Sequence, residues 1–158
     1  MNAQLAMKFE TPTDTTIVIT RTANAPRAAV FEAWTNPKYI REWMLGPPGW
    51  TMPVCELDLR VGGAWRYSWR KDDGSEMTMT GTVKELKAPE RIVTTERWGP
   101  EWPETVNELV LAEAGGKTTM TLTINYPSKE ARDAATQTGM KEGLDASFER
   151  LDRVAGSL

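Results

Sequence analysis

The sequence predicts an α+β fold: a curved antiparallel sheet of seven strands wrapped around a long C-terminal helix, with two short helices between the first and second strands. Three features carry that expectation. From Met52 to Tyr126, apolar and polar residues alternate with a period of two between turn signals, the pattern of strands with one buried face. Near the end of the chain, Leu144, Phe148, Leu151 and Ala155 recur at helical spacing. Two helix starts, Asn24-Ala25-Pro26 and Asn36-Pro37, follow the first β-branched run. A sheet with one apolar face and a single amphipathic helix bury both surfaces economically when the sheet curls over the helix.

Residues 1–14 are polar and contain Pro12, so they read as a flexible N-terminal arm ahead of a single domain over 15–158. TTIVITRT (15–22) is a β-branched strand run. Pro26 then sits at or near the start of a helix whose apolar face carries Val30, Phe31 and Trp34. Asn36 caps a second helix with Ile40, Trp43 and Met44 at i, i+3 and i+4, and Gly46-Pro47-Pro48-Gly49 ends it. The meander follows: VCELDLR, the Gly62-Gly63 turn, AWRYSWRK, the Asp72-Asp73-Gly74-Ser75 turn, EMTMTGTVKELK, RIVTTERW, TVNELVLAE and KTTMTLTINY. Short loops make it antiparallel. Pro127-Ser128 opens the last helix, in which Gly139 and Gly143 either weaken the helix by about 1 kcal/mol each or allow a close approach.

The chain has 158 residues, 40% hydrophobic and 26% charged, values of an ordinary globular domain with a substantial core. A net charge of -3 gives no basic track for nucleic acid, since Arg66, Arg70 and Lys71 are followed at once by Asp72 and Asp73. No apolar run is long enough for a membrane span, and MNAQLAMKFETPTD has no signal-peptide pattern. With one cysteine, Cys55, the expected location is the cytoplasm. The absence of histidine excludes Ser-His-Asp and Cys-His chemistry and the usual zinc sites. No metal or cofactor is expected, and Cys55 reads as inert because no histidine can activate it.

The strings APRAAVFEAWTNPKYIREWM, GPPGWTMPVCELDLRVGGAWRYSWRKDDG, TGTVKELKAPERIV and PSKEARDAATQTGMKEGLDASFERLDRV together resemble the SRPBCC superfamily, and within it the branch named after the activator of heat-shock-protein ATPase (AHSA-like). The likeness runs from about Thr15 to Val154, and the ordered set AWT-x-P, W-M, C-x-L-D-L-R-x-G-G-x-W-R and P-E-R-I-V is what makes it specific. The resemblance implies a helix-grip fold like that of birch-pollen-allergen and START domains, enclosing a pocket, with homodimerisation possible. It implies small proteins that hold hydrophobic molecules. Some superfamily members cyclise or hydrolyse polyketides, and the namesake is a co-chaperone. No shared catalytic set exists to be carried onto these residues.

Strand parity places Trp65, Tyr67 and Trp69 on one face, and burial argues that this face is inward. The same logic turns Met77, Met79 and Met120 inward, where methionine suits a permissive pocket. Trp34, Trp43, Trp98, Met140 and Leu144 complete the candidate ligand-binding set with Trp50. Taken singly, each is better explained as core; together they describe a softer interior than a Leu/Val core. Tyr67 and Tyr126 could each offer a hydroxyl. Glu96 shares a strand face with Thr94 and Trp98; if inward, it becomes a buried general-base candidate. The plainer reading is a solvated carboxylate beside Arg97. Asp58 and Arg60 read as a structural pair. The Gly46–Gly49 loop reads as a pocket rim, with Trp43 structural and Trp50 a gate.

The expected function is binding or sequestration of a small hydrophobic, aromatic molecule, without catalysis. The alternatives are a cyclase- or hydrolase-type reaction in the same pocket, which Glu96 and Glu108 both facing solvent would oppose, and a co-chaperone-like interaction module, which predicts a filled interior and a large exposed apolar patch.

Overall fold

The computed structural model describes residues 7–158. Among these, eight strands form one antiparallel sheet with four helices. The strands are β1 (Lys8–Glu10), β2 (Thr16–Ala23), β3 (Trp50–Leu57), β4 (Ala64–Lys71), β5 (Glu76–Lys87), β6 (Arg91–Glu96), β7 (Thr105–Ala114) and β8 (Lys117–Asn125). Their order across the sheet is β1-β2-β8-β7-β6-β5-β4-β3. The meander from β3 to β8 therefore runs in sequence order, and the chain's first strands close onto β8.

The sheet has eight strands rather than the seven expected, because β1 arises within the segment read as a flexible arm. Lys8 pairs with Thr20 and Glu10 with Val18, so β1 occupies the edge that β2 would otherwise leave open. Phe9 packs on the core from that strand. The remainder of the expected arm, residues 1–6, lies outside the described residues.

The two short helices are α1 (Arg27–Thr35) and α2 (Pro37–Trp43). Asn36 separates them by accepting a 3.0 Å hydrogen bond from the Lys38 N–H through its side chain, with Pro37 in the first helical position. At the C-terminus the expected single helix is two, α3 (Lys129–Thr136) and α4 (Met140–Gly156). Gly139 makes the break: its φ of 79° is left-handed, which a glycine adopts without steric cost. A Cβ at Gly143 would meet Pro47 Cδ at 3.6 Å, an ordinary van der Waals contact, so the Gly46–Gly49 loop lies beside α4 there without an approach that only glycine allows.

Curvature comes from irregular pairing. Register shifts interrupt β3 between Thr51 and Val54 and β5 between Val83 and Glu85, and extra residues at such points bend and twist a strand. Pro53 falls inside the first shift, on an edge strand that can tolerate a missing donor. Inside the sheet, α4 buries Phe148, Leu151 and Ala155 as its spacing predicts and packs on α1, α2 and β2. A less expected tie is Arg21, buried on the inward face of β2, whose guanidinium lies 3.9 Å from Asp152 of α4. This large antiparallel sheet with its C-terminal helix is consistent with the helix-grip class.

Candidate functional site

A cavity of about 100 Å³, open at one side, lies between the sheet and the α1–α2 end. Strand alternation builds its walls. Inward positions of β4 supply Trp65 and Tyr67, whose rings lie 4.8 Å apart, and β5 supplies Met79 directly opposite Tyr67. β6 and β7 add Ile92 and Leu109, a cross-strand pair, while Leu57 and Leu122 come from β3 and β8. Trp34 and Thr35 at the end of α1, with Met44 after α2, close the helical side. An apolar cavity of about 150 Å³ holds a benzene-sized ring, so this one is on the scale of a single small ring.

One wall is polar. Thr94, Glu96 and Asn107 face the cavity from β6 and β7. The Glu96 carboxyl accepts a 2.6 Å hydrogen bond from Asn107 Nδ2 on one oxygen and a 2.7 Å bond from Trp98 Nε1 on the other. Asn107 Oδ1 in turn accepts from Thr105 Oγ1 at 2.8 Å, which orients the amide with its nitrogen toward Glu96. Burial pushes the Glu96 carboxyl from 4.5 up to about 7, although the hydrogen bonds from Trp98 and Asn107 act in the opposite direction. Desolvation wins because no lysine or arginine among the described residues forms an ion pair with it. Tyr67 and Tyr126 have their phenols held well above the usual range, mainly by burial and further by the Glu96 charge.

The solvated reading of Glu96 is thereby corrected. The β6–β7 register sets Thr94 beside Asn107 and Glu96 beside Thr105, so the carboxyl turns to the Asn107 side of the sheet. Arg97 points elsewhere, its Nη1 donating to the Trp102 carbonyl at 3.3 Å. Glu108, the neighbour of Asn107, takes the opposite face and bonds Arg91 at 2.7 Å.

Of the residues singled out from sequence, the cavity wall brings together Trp34, Trp65, Tyr67, Met79 and Glu96. The remainder stand around it. Trp43 is 1% exposed, donates from Nε1 to the Ala33 carbonyl at 2.8 Å and meets Trp34 edge-on, a structural placement. Met120 is buried behind Trp34, whose Nε1 lies 3.3 Å from its sulfur. Trp69 stacks on the exposed Trp98 with ring centroids 5.3 Å apart and donates to the Met44 carbonyl at 2.7 Å. Met140 and Leu144 are half-buried against the core on α4, away from the wall.

Two expectations need correction. Met77 is 43% exposed despite its inward parity, because it sits one pair from the end of the β4–β5 hairpin, where little lies over it. Trp50 does not line the cavity; it begins β3 opposite Lys71, whose Nζ lies 5.9 Å from the ring centroid. The glycine-proline loop before it is tied to α4 at its first residue, the Gly46 N–H donating to Ser147 Oγ at 2.9 Å.

Sequence reasoning missed Asn107, Thr94, Thr35, Met44, Ile92, Leu109, Leu57 and Leu122. Alternation in TVNELVLAE could have put Asn107 and Leu109 on one face, but only the pairing across residues 97–104 sets them beside Glu96. Cys55 is buried, and burial pushes its thiol to about 11, consistent with an inert residue. Asp58 and Arg60 form the expected pair, at 2.8 Å on the surface. Among the described residues no group of acidic or sulfur side chains could hold a metal ion, and no helix is long and apolar enough to cross a membrane.

No curated protein matches this chain. Solved structures do. A Rhodobacter sphaeroides protein is 25% identical over 96% of this chain and 99% of its own, with a TM-score of 0.90. Protein Ms6760 from Mycobacterium smegmatis is 22% identical over 94% of this chain and 96% of its own, with a TM-score of 0.85. An AHSA1-like protein from Aeromonas hydrophila is 23% identical over 89% of this chain and 92% of its own, with a TM-score of 0.69. The family described as Activator of Hsp90 ATPase homolog 1-like protein matches residues 24–156. A match of that extent, on the same sheet and C-terminal helix, places the chain in one family: it belongs to the Activator of Hsp90 ATPase homolog 1-like proteins, the AHSA-like branch of the SRPBCC superfamily.

Proposed function

We propose that the chain binds a small hydrophobic, aromatic molecule in the cavity between the sheet and the α1–α2 end. The supporting observation is the wall itself: Trp34, Trp65, Tyr67 and Met79 face an open space instead of filling it. Sites for small molecules combine apolar and aromatic walls with a few placed polar groups, which Thr94, Glu96 and Asn107 provide. The modest volume favours one ring over a fused polycycle. Native mass spectrometry of the purified protein tests for a co-purifying molecule, and tryptophan quenching across single-ring aromatics tests for binding. A protein that carries nothing, and whose fluorescence no aromatic perturbs, would refute the proposal.

One observation favours a second reading, acid–base catalysis in the same cavity. Burial pushes the Glu96 carboxyl up to about 7, which suits it to take a proton from a bound molecule, while the neutral Tyr67 phenol on the same wall can donate a hydrogen bond to it. Turnover of a polyketide-like substrate that Glu96→Gln abolishes while binding persists would establish it. The co-chaperone reading has less support. Its exposed apolar residues among those described, Leu59, Val61, Met77, Trp98, Val106 and Leu158, are dispersed over several elements, and a cavity of about 100 Å³ remains beside the core.

A further inference from the structure

Glu96 is a half-buried carboxyl on a cavity wall that carries no basic side chain. Its hydrogen bonds come from two neutral donors, the Asn107 amide and the Trp98 indole. Each carboxylate oxygen has a second lone pair, so both can still accept from a ligand. Across the same space stand the rings of Trp34, Trp65 and Tyr67. Aromatic faces attract cations, and the attraction grows when water is excluded. A carboxyl without a counter-charge beside aromatic faces is an arrangement that a cation would complete.

From this geometry we propose that the cavity selects a small aromatic or apolar molecule bearing one basic nitrogen, with Glu96 as its counter-ion and the tryptophans as its apolar wall. The proposal rests on the cavity being a ligand site. The groups facing Glu96 are few. β4 contributes Tyr67, the segment after β8 contributes Tyr126, and β7 contributes Asn107 and Thr105; both phenols stay neutral at physiological pH. On the helical side Trp34, Thr35 and Met44 carry no charge, and Arg41 of α2 is turned to Cys55. Glu96 is therefore the group that titrates in the neutral range, and a cationic ligand gains its partner as that carboxyl ionises.

The test uses probes of one size: toluene, benzyl alcohol, benzylamine and benzoate, followed by the indole N–H resonances of Trp34 and Trp65. Benzylamine, cationic throughout, should bind tighter than benzyl alcohol at pH 8. Its affinity should fall about tenfold by pH 6 as Glu96 takes up a proton, while that of toluene stays constant. Glu96→Gln should remove the preference and the pH dependence but retain toluene. The pH series on the unaltered protein decides the matter even if the variant folds poorly. Toluene binding without a preference for benzylamine, or with benzoate preferred, overturns the amine inference and leaves the cavity as a ligand site. If none of the probes moves either indole, the ligand site fails and the amine inference with it.

Discussion

Glu96→Gln offers a direct measure of what the half-buried carboxyl costs the fold. The folded protein holds the Glu96 proton up to about 7, whereas an unfolded chain releases it near the ordinary 4.5. Between those values the native state binds more protons than the unfolded state, so stability falls as pH rises and levels off above the folded value. At about 1.4 kcal/mol per pH unit, the loss totals roughly 3 kcal/mol, of which roughly 2 falls between pH 5.5 and 8.5. Glutamine cannot ionise. It still offers an acceptor to Asn107 or Trp98, and any lost hydrogen bond gives an offset that does not vary with pH. Urea unfolding followed by tryptophan fluorescence at pH 5.5, 6.5, 7.5 and 8.5 should show the variant gaining on the parent by roughly 2 kcal/mol across the series. Starting above the isoelectric point of about 5.2 keeps the protein charged at each point. A difference that stays flat across the series would show Glu96 ionised at its ordinary value, and the account of an unpaired, desolvated carboxyl would be wrong.

Other perturbations probe the frame around the cavity. Gly81→Ala puts a Cβ against the Thr95 carbonyl and 2.6 Å from the Trp65 ring, so a loss of about 1–3 kcal/mol should appear in the urea midpoint. Trp43→Phe removes the donor to the buried Ala33 carbonyl and should cost about 1–3 kcal/mol while leaving ring binding intact, since Trp43 is off the wall. Cys55, buried and with its thiol held at about 11, should resist iodoacetamide at pH 7.5 in the folded protein and react readily in urea; rapid alkylation of the folded form would contradict its placement.

The limits of legibility are clearest in two strands. In AWRYSWRK, alternation alone placed Trp65, Tyr67 and Trp69 on one face, and all three are buried. The same parity in EMTMTG gave Met77 and Met79 equal standing, but only Met79 is covered, because coverage depends on how far the hairpin extends beyond its neighbours. Glu96 is sharper still. Its own strand left two faces open, and the answer came from β7, paired across a loop whose length and turns do not announce a register.

By itself the sequence determined the elements: the antiparallel meander, the two short helices with the Asn36 cap between them, the buried stripe of α4 and the family likeness, all of which depend on local spacing and on signals a few residues apart. It also removed histidine chemistry outright. The tertiary structure alone decided that an eighth strand covers the edge of β2, that Gly139 breaks the terminal helix, and that Asn107 and Trp98 converge on Glu96. The physical reason is common to these. An alternating pattern fixes which residues share a face, whereas what lies over that face, and how much solvent it removes from a carboxyl, depends on registers and contacts between segments far apart in the chain.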